Sequence, residues 1–141
     1  MISRNLSATA SALLLAIGLF GHSETARAGD VSNAELTCFV DTYAYDYSTV
    51  GYCESAWTPS TATNPTTAVF EVTGLPSGNY SFAWKNLETG ATGVCASSNS
   101  FCFQSIGLFN SPSVIEVTVR DTDTNATKTL NAYAYFWDGW N

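Results

Sequence analysis

The sequence predicts an all-β protein, an antiparallel sandwich of about seven short strands joined by turns. After residue 28, apolar and polar residues alternate with a period of two, the pattern of half-buried strands, and no long helical pattern appears. Gly, Pro, Asn and Asp cluster between these stretches and mark the turns. Four cysteines in the same part of the chain predict two disulfides.

The first 28 residues have the features of a cleavable export signal. Arg4 supplies positive charge, and residues 12–20 form an apolar run that is too short for the ~20 residues of a membrane span. Ala26-Arg27-Ala28 places small residues at the positions that signal peptidase reads. We therefore expect cleavage before Gly29 and a secreted or periplasmic protein, with a signal that is typical of bacterial export.

The expected mature domain, residues 29–141, is strongly acidic. Its 113 residues carry three cations and eleven carboxylates, which gives a formal charge of −8. Nucleic acid binding requires a basic surface that neutralises phosphates, so we expect no nucleic acid partner. The domain has no second apolar run, so we expect no insertion into a membrane. The expected partner is an extracellular protein or a neutral carbohydrate.

The cysteines of this domain are Cys38, Cys53, Cys95 and Cys102. An even number in an exported chain predicts disulfides, and proximity in sequence favours Cys38–Cys53 and Cys95–Cys102. The pairings 38–95 with 53–102 and 38–102 with 53–95 stay open. A zinc site is disfavoured because no histidine follows residue 28. No metal or cofactor is expected.

The pattern of residues 34–57 predicts a pair of strands. Residues 34–47 form the first strand, and residues 50–57 return as its partner, with Gly51 as a turn or bulge residue. The side chains expected inside are Leu36, Cys38 and Val40. Residues 58–67 are rich in Thr, Pro and Ser and predict a surface loop.

The rest of the domain predicts four more strands. Residues 68–73, 80–84, 115–119 and 130–136 each place alternate apolar or aromatic side chains on one face. The side chains expected inside are Phe70, Val72, Tyr80, Phe82, Trp84, Ile115, Val117, Val119, Leu130, Ala132, Ala134 and Phe136. Between Cys95 and Cys102 we expect a Ser/Asn-rich excursion pinned at its base.

The order of these residues resembles that of a known family of domains. Tyr80-x-Phe82-x-Trp84 is followed by Gly90, then by Ile115-x-Val117-x-Val119-x-Asp121 and a closing strand. Over residues 67–136 this order resembles PKD-type, immunoglobulin-like domains of bacterial secreted and surface proteins. The Gly- and Asp-rich turn that often follows the tryptophan there is replaced by Lys85-Asn86-Leu87-Glu88. The resemblance implies an immunoglobulin-like sandwich and a role in adhesion or spacing.

A second similarity lies near the first cysteine. Glu35-Leu36-Thr37-Cys38 resembles the first cysteine strand of true immunoglobulin domains. It implies the same sandwich architecture, and architecture alone does not define a function.

The residue types disfavour catalysis. Hydrolysis through serine or cysteine needs a base such as histidine, and carboxylate pairs for glycoside hydrolysis need a cleft that a small sandwich rarely builds. We expect that the protein is not an enzyme. Asp121-x-Asp123-x-Asn125 matches the start of a calcium loop, but Ala126 and Ala132 stand at its glycine and glutamate positions. An acidic hairpin turn is predicted there, with an oxygen-ligand site as the alternative.

The alternation also predicts an exposed aromatic face. The last strand turns one set of rings outward, and the first strand does the same if its inner face is as predicted. The candidate ligand-binding residues are Tyr133, Tyr135, Trp137, Tyr43 and Tyr45. Exposed rings stack on sugars or anchor partner proteins, and otherwise they stabilise a sheet through cross-strand pairs. In immunoglobulin-like sandwiches the first and last strands often lie side by side, so the resemblance implies that the two sets of rings merge into one surface.

The sequence therefore favours a secreted, non-enzymatic binding or interaction module, with an adhesion-like role. One alternative is a protein inhibitor or effector that acts through the disulfide-pinned loop at residues 96–101. Another is a lectin-like carbohydrate-binding domain that uses the exposed aromatic strip.

Overall fold

Eight β-strands form the regular structure of the described residues, which are 29–41, 47–56, 67–106 and 112–137 of a computed structural model. The strands are β1 Glu35–Val40, β2 Thr49–Val50, β3 Tyr52–Ala56, β4 Thr67–Thr73, β5 Tyr80–Asn86, β6 Phe101–Ser105, β7 Ser113–Asp121 and β8 Thr127–Trp137. These ranges contain no helix, and therefore none that is long and apolar enough to span a membrane. The predicted all-β class is confirmed.

The strands form two four-stranded sheets, in the order β2-β1-β4-β6 and β3-β8-β7-β5. The first sheet is antiparallel throughout, whereas β3 runs parallel to β8 in the second. The predicted count of about seven strands and the purely antiparallel pairing therefore differ from the structure. The stretch 50–57 supplies parts of two strands in two sheets. The sequence analysis did not predict β6, which begins at Phe101, the end of the predicted excursion between Cys95 and Cys102.

Gly51 is the residue at which the chain changes sheets. Val50, in β2, pairs with Thr37 of β1, and Tyr52, in β3, pairs with Tyr133 of the opposite sheet. The N–H of Gly51 donates to the Leu36 carbonyl at 2.9 Å, and its own carbonyl accepts the Tyr133 N–H at 3.0 Å. Its φ of 74° is in the left-handed region that glycine adopts without strain.

The core lies between the two sheets and follows the predicted inner faces. The fully or nearly buried side chains include Leu36, Cys38, Val40, Phe70, Val72, Phe82, Trp84, Ile115, Val117, Val119, Ala132, Ala134 and Phe136. Tyr80 and Leu130, near strand ends, are half-buried and pack against this core. The period-two alternation thus identified the buried faces of β1, β4, β5, β7 and β8 correctly.

Both disulfides follow the favoured pairing. Cys38–Cys53 joins β1 to β3, and therefore links the two sheets, with 5.7 Å between the Cα atoms. Cys95–Cys102 joins β6 to the segment that precedes it, with 5.5 Å between the Cα atoms. The two crossed pairings are excluded.

The first and last strands are not neighbours in one sheet. β1 and β8 belong to opposite sheets and contact each other across the core. The expected side-by-side arrangement is therefore wrong. The physical reason is that β3 occupies the edge of β8, where it is held by five paired residues, while β1 lies between β2 and β4.

Candidate functional site

The outer face of the mixed sheet carries a line of three tyrosines, which we call the tyrosine row: Tyr52, Tyr133 and Tyr135. Tyr133 and Tyr135 alternate along β8 with the buried residues Ala132 and Ala134, so they face away from the core. Tyr52 is opposite Tyr133 in the parallel pair of β3 and β8. Two neighbouring strands thus build one aromatic surface.

The rings of the row are close and nearly parallel. The centres of the Tyr52 and Tyr133 rings are 5.7 Å apart with planes inclined by 19°, and those of Tyr133 and Tyr135 are 6.3 Å apart with planes inclined by 6°. Such pairs stabilise a sheet through cross-strand and same-face contacts. Tyr52 nevertheless keeps 47% of its side chain exposed, and Tyr133 and Tyr135 are half-buried. The row is therefore in part accessible to solvent.

Glu54 gives the row a carboxylate. It is opposite Tyr135 in the strand pair and exposed, and its Oε2 accepts a 2.5 Å hydrogen bond from the Tyr52 hydroxyl. That hydrogen bond, followed by desolvation and the negative charge of Glu54, raises the pKa of Tyr52 to about 12. The Tyr52 phenol therefore stays protonated and donates its hydrogen bond to Glu54.

This geometry predicts that Tyr52 remains protonated at pH 11, where an ordinary tyrosine, with a pKa of about 10, is mostly ionised. Glu54→Gln should bring the pKa of Tyr52 back towards its ordinary value, because the carboxylate is the largest cause of the shift. The measurement is the ¹³Cζ chemical shift of tyrosine-labelled protein between pH 8 and 11.5. Tyr52→Phe assigns the signal, and circular dichroism monitors the fold. A Tyr52 signal that titrates near pH 10 in the parent protein would contradict this account.

A shallow open groove of 430 Å³ borders the row on the β3 side. Its lining includes Tyr47, which is 78% exposed, together with Val50, Tyr52 and Glu54. The groove continues the aromatic surface past the edge of the sheet.

The structure describes three of the five predicted ligand-binding residues, and two lie outside the described part of the chain. Tyr133 and Tyr135 face outward, as predicted. Trp137 ends β8, and its position in the strand alternation is that of Tyr133 and Tyr135. Tyr43 and Tyr45 lie outside the described residues. The role of these five residues in binding stays a prediction.

Tyr52 and Glu54 are the members of the surface that the sequence analysis missed. The signal was present, because Cys53 between them is a predicted disulfide cysteine, and a buried Cys53 turns both neighbours outward. Their place beside β8 carried no local signal, since it depends on the change of sheet at Gly51.

The Cys38–Cys53 disulfide lies on the inner face of the sheet, opposite the tyrosine row. Cys53 is buried and pairs with Ala134 in the strand register, so the bridge lies beneath the aromatic surface on the inner face of the sheet. It fixes β3, which has only β8 as a partner within its sheet. The bridge and the five paired residues of β3 and β8 together hold Tyr52 beside Tyr133.

The disulfide-pinned loop at residues 96–101 is part of the framework. The Phe82 N–H donates to the Ser97 carbonyl at 2.9 Å, and the Val72 N–H donates to the Ser100 carbonyl at 2.7 Å. The Trp84 indole donates to the Asn99 carbonyl at 3.1 Å. The loop backbone thus bonds to strands of both sheets and closes one side of the sandwich.

The acidic segment around Asp121 is the β7–β8 hairpin turn. Asp121 is buried, and its Oδ1 accepts hydrogen bonds from the N–H groups of Asp123 at 2.8 Å and Thr124 at 3.3 Å. Asn125 completes the turn with a φ of 63°. Within the described ranges, no group of three or more His, Cys, Asp or Glu side chains has the arrangement of a metal site.

No family model, curated protein or solved structure matches this chain.

Proposed function

We propose that the protein is a secreted, non-enzymatic binding module and that the tyrosine row is its ligand-contact surface. The observation that carries the proposal is the line of three nearly parallel phenol rings on neighbouring strands, spaced by 5.7 and 6.3 Å. Rings placed in this way offer apolar surface at a low cost in conformational entropy, and each carries a hydroxyl for hydrogen bonding. The export features of residues 1–28 and the two disulfides support a role outside the cytoplasm.

The ligand class that this surface favours is a neutral carbohydrate. Tyrosine rings contact the apolar faces of sugars, while the row's hydroxyls and the Glu54 carboxylate hydrogen-bond to sugar hydroxyls. A line of rings suits a chain of sugar units. The formal charge of −8 after residue 28 disfavours anionic polysaccharides. The proposal therefore combines two hypotheses of the sequence analysis, the binding module and the lectin-like carbohydrate-binding domain.

A non-enzymatic role is proposed because the one carboxylate described on the row, Glu54, is exposed and engaged by the Tyr52 hydroxyl, and no second acid–base group faces it there. No histidine occurs in residues 29–141, and Tyr52 is held in its protonated form. The loop at 96–101 is the alternative contact surface of an inhibitor or effector. The carbonyl groups of this loop accept hydrogen bonds from Phe82, Val72 and Trp84, so its backbone is already engaged within the domain, which makes it the second choice.

The test is co-sedimentation of the exported protein with insoluble cellulose, chitin and xylan. Tyr133→Ala combined with Tyr135→Ala should weaken binding at least tenfold, about 1.4 kcal/mol, while the protein stays folded. The matched control is Phe101→Ala combined with Phe103→Ala, because these rings are 42% and 57% exposed on the other sheet. The control should bind like the parent.

Three outcomes would contradict the proposal. The parent protein binds none of the three polysaccharides, or the phenylalanine control loses as much affinity as the tyrosine variant. The third is unfolding of the tyrosine variant well below the parent's melting temperature, which would make the row a structural element.

A further inference from the structure

The first described residues, 29–34, are built into the domain. Val31 is nearly buried and Ala34 fully buried, and both belong to the hydrophobic core. The Lys128 ammonium of β8 donates hydrogen bonds to the carbonyls of Ser32 at 2.6 Å and Ala34 at 2.8 Å. The segment that directly follows the expected cleavage point therefore has a fixed place against the sandwich.

Gly29 itself is buried in a slot that only glycine fits. A Cβ at this position would overlap the phenol ring of Tyr80, and a Cβ on Gly78 would lie 3.1 Å from the Gly29 Cα. The Tyr80 hydroxyl donates to the Pro76 carbonyl at 3.0 Å, which holds the ring in place. The slot thus has fixed walls.

A buried carboxylate lies beside this slot. Asp121 is 0% exposed, and its Oδ2 accepts no hydrogen bond, although Oδ1 accepts two from its own turn. Asp121 is opposite Tyr80, the wall of the slot, in the pair of β5 and β7. Burial raises the pKa of Asp121, but the hydrogen bonds from its own turn, together with the nearby backbone N–H of Gly29, outweigh this effect, so the pKa lies below its ordinary value. An ionised, buried carboxylate with one oxygen unpaired is costly unless a further donor reaches it.

We propose that Asp121 is the binding site for the α-ammonium group of the protein's own mature N-terminus, which forms when the signal is removed before Gly29. Hydrolysis adds one water across the Ala28–Gly29 bond, leaving a carboxyl group on Ala28 and an amine on Gly29. The amine takes up a proton below its ordinary pKa of about 7.7–8.0. One neutral N–H donor thereby becomes three donors with a positive charge.

The inference rests on the expected cleavage and is independent of the tyrosine row. In the precursor, position 29 has a single uncharged N–H, and within residues 29–41, 47–56, 67–106 and 112–137 no cation pairs with the Asp121 carboxylate. Removal of the signal supplies that cation inside a preformed slot. Processing therefore completes the fold, and the mature domain is more stable than the same domain with residues attached before Gly29.

The pH dependence follows from the groups around the slot. Asp30 precedes Val31 with its carboxylate bonded to Ser32, Tyr80 faces from β5, and Lys128 is engaged on backbone carbonyls. Pairing with Asp121 raises the pKa of the ammonium above its unfolded value. The resulting stability is fully present below about pH 7.7 and is lost as the pH rises through the folded pKa.

The experiment compares four full chains exported in a bacterial host: the parent, a chain with Thr-Gln inserted between Ala28 and Gly29, Asp121→Asn, and the combination. The inserted Gln places no small residue directly before Gly29, so no new cleavage site is created there. Intact mass first establishes that the parent begins at Gly29 and that the inserted chains keep both added residues. In urea unfolding at pH 7, the insertion should lower the folding equilibrium constant at least tenfold in the parent background. It should change this constant less than twofold in the Asp121→Asn background.

Equal effects of the insertion in both backgrounds would show a purely steric cost and overturn the proposal, as would a mature chain that begins elsewhere. If Asp121→Asn does not fold, the pH dependence decides. The difference between parent and insertion should shrink between pH 7 and pH 10.5, because the terminal amine loses its charge. A difference that stays constant over this range would overturn the proposal.

Discussion

Replacement of Trp84 by alanine is expected to lower the free energy of unfolding by about 3–5 kcal/mol. Trp84 is 1% exposed and is the largest of the fully buried side chains described. Its ring lies 6.4 Å from that of Phe82, and its indole N–H bonds the Asn99 carbonyl of the disulfide-pinned loop. Alanine leaves a cavity and removes the donor from that carbonyl. Urea denaturation followed by far-UV circular dichroism measures the loss.

Leu87→Ala is the control for this prediction, because Leu87 is 39% exposed and lies just after β5. Its effect should stay within about 0.5 kcal/mol. Trp84→Phe keeps part of the ring volume and provides the measurement if the alanine variant does not fold. A loss below about 1 kcal/mol for Trp84→Ala would contradict the place assigned to Trp84 in the core.

Loss of the Cys38–Cys53 bridge, through alanine at both positions, is expected to cost about 2–5 kcal/mol. The bridge spans 15 residues, and both cysteines are buried. It joins strands of opposite sheets, and β3 has one neighbour in its own sheet, namely β8. Because β3 carries Tyr52, the variant should also bind the polysaccharide more weakly than its stability loss alone explains.

The matched control is alanine at Cys95 and Cys102, whose bridge spans only 7 residues. In the chain-entropy view a shorter loop contributes less, so this variant should lose less stability. It leaves β3 and the tyrosine row in place, and its binding should equal that of the parent at temperatures where both are folded. A similar loss of binding in both cysteine variants would show that the first bridge has no special link to the row.

The inner faces of the strands were predictable because strand alternation is a local property. Phe82, Trp84, Val117 and Val119 point inward wherever their strands pair, since the side-chain period of a strand is two. The pairing itself was not predictable in this way. Alternation shows which face of a strand is buried, but it does not show which strand lies next to it. The parallel pairing of β3 with β8 therefore had no signal in the sequence.

Only part of the tyrosine row was predictable, because strand alternation is local and strand pairing is not. The outward direction of Tyr133 and Tyr135 follows from Ala132 and Ala134, which are on the same strand. Tyr52 enters the surface only because Gly51 carries the chain from one sheet to the other. Residues 50–57 look like the second strand of a local hairpin, and the tertiary arrangement overrides that pattern.

The β6 strand was missed for a related reason. Phe101 and Phe103 face solvent while Cys102 is buried, so its alternation is the reverse of a typical core strand. The preceding segment is rich in Ser and Asn, which favours a loop. Five residues of pairing with β4 and a neighbouring disulfide make β6 a strand nonetheless.

The central claim, that the tyrosine row binds the ligand, is tested most directly by mapping the contact in solution. ¹⁵N-labelled protein is titrated with cellohexaose, chitohexaose and xylohexaose, and backbone amide shifts are followed residue by residue. The account predicts that the largest shifts with the bound sugar occur at residues 52–54 and 133–135. Shifts concentrated at residues 96–101, or no shift with any of the three sugars at millimolar concentration, would contradict it.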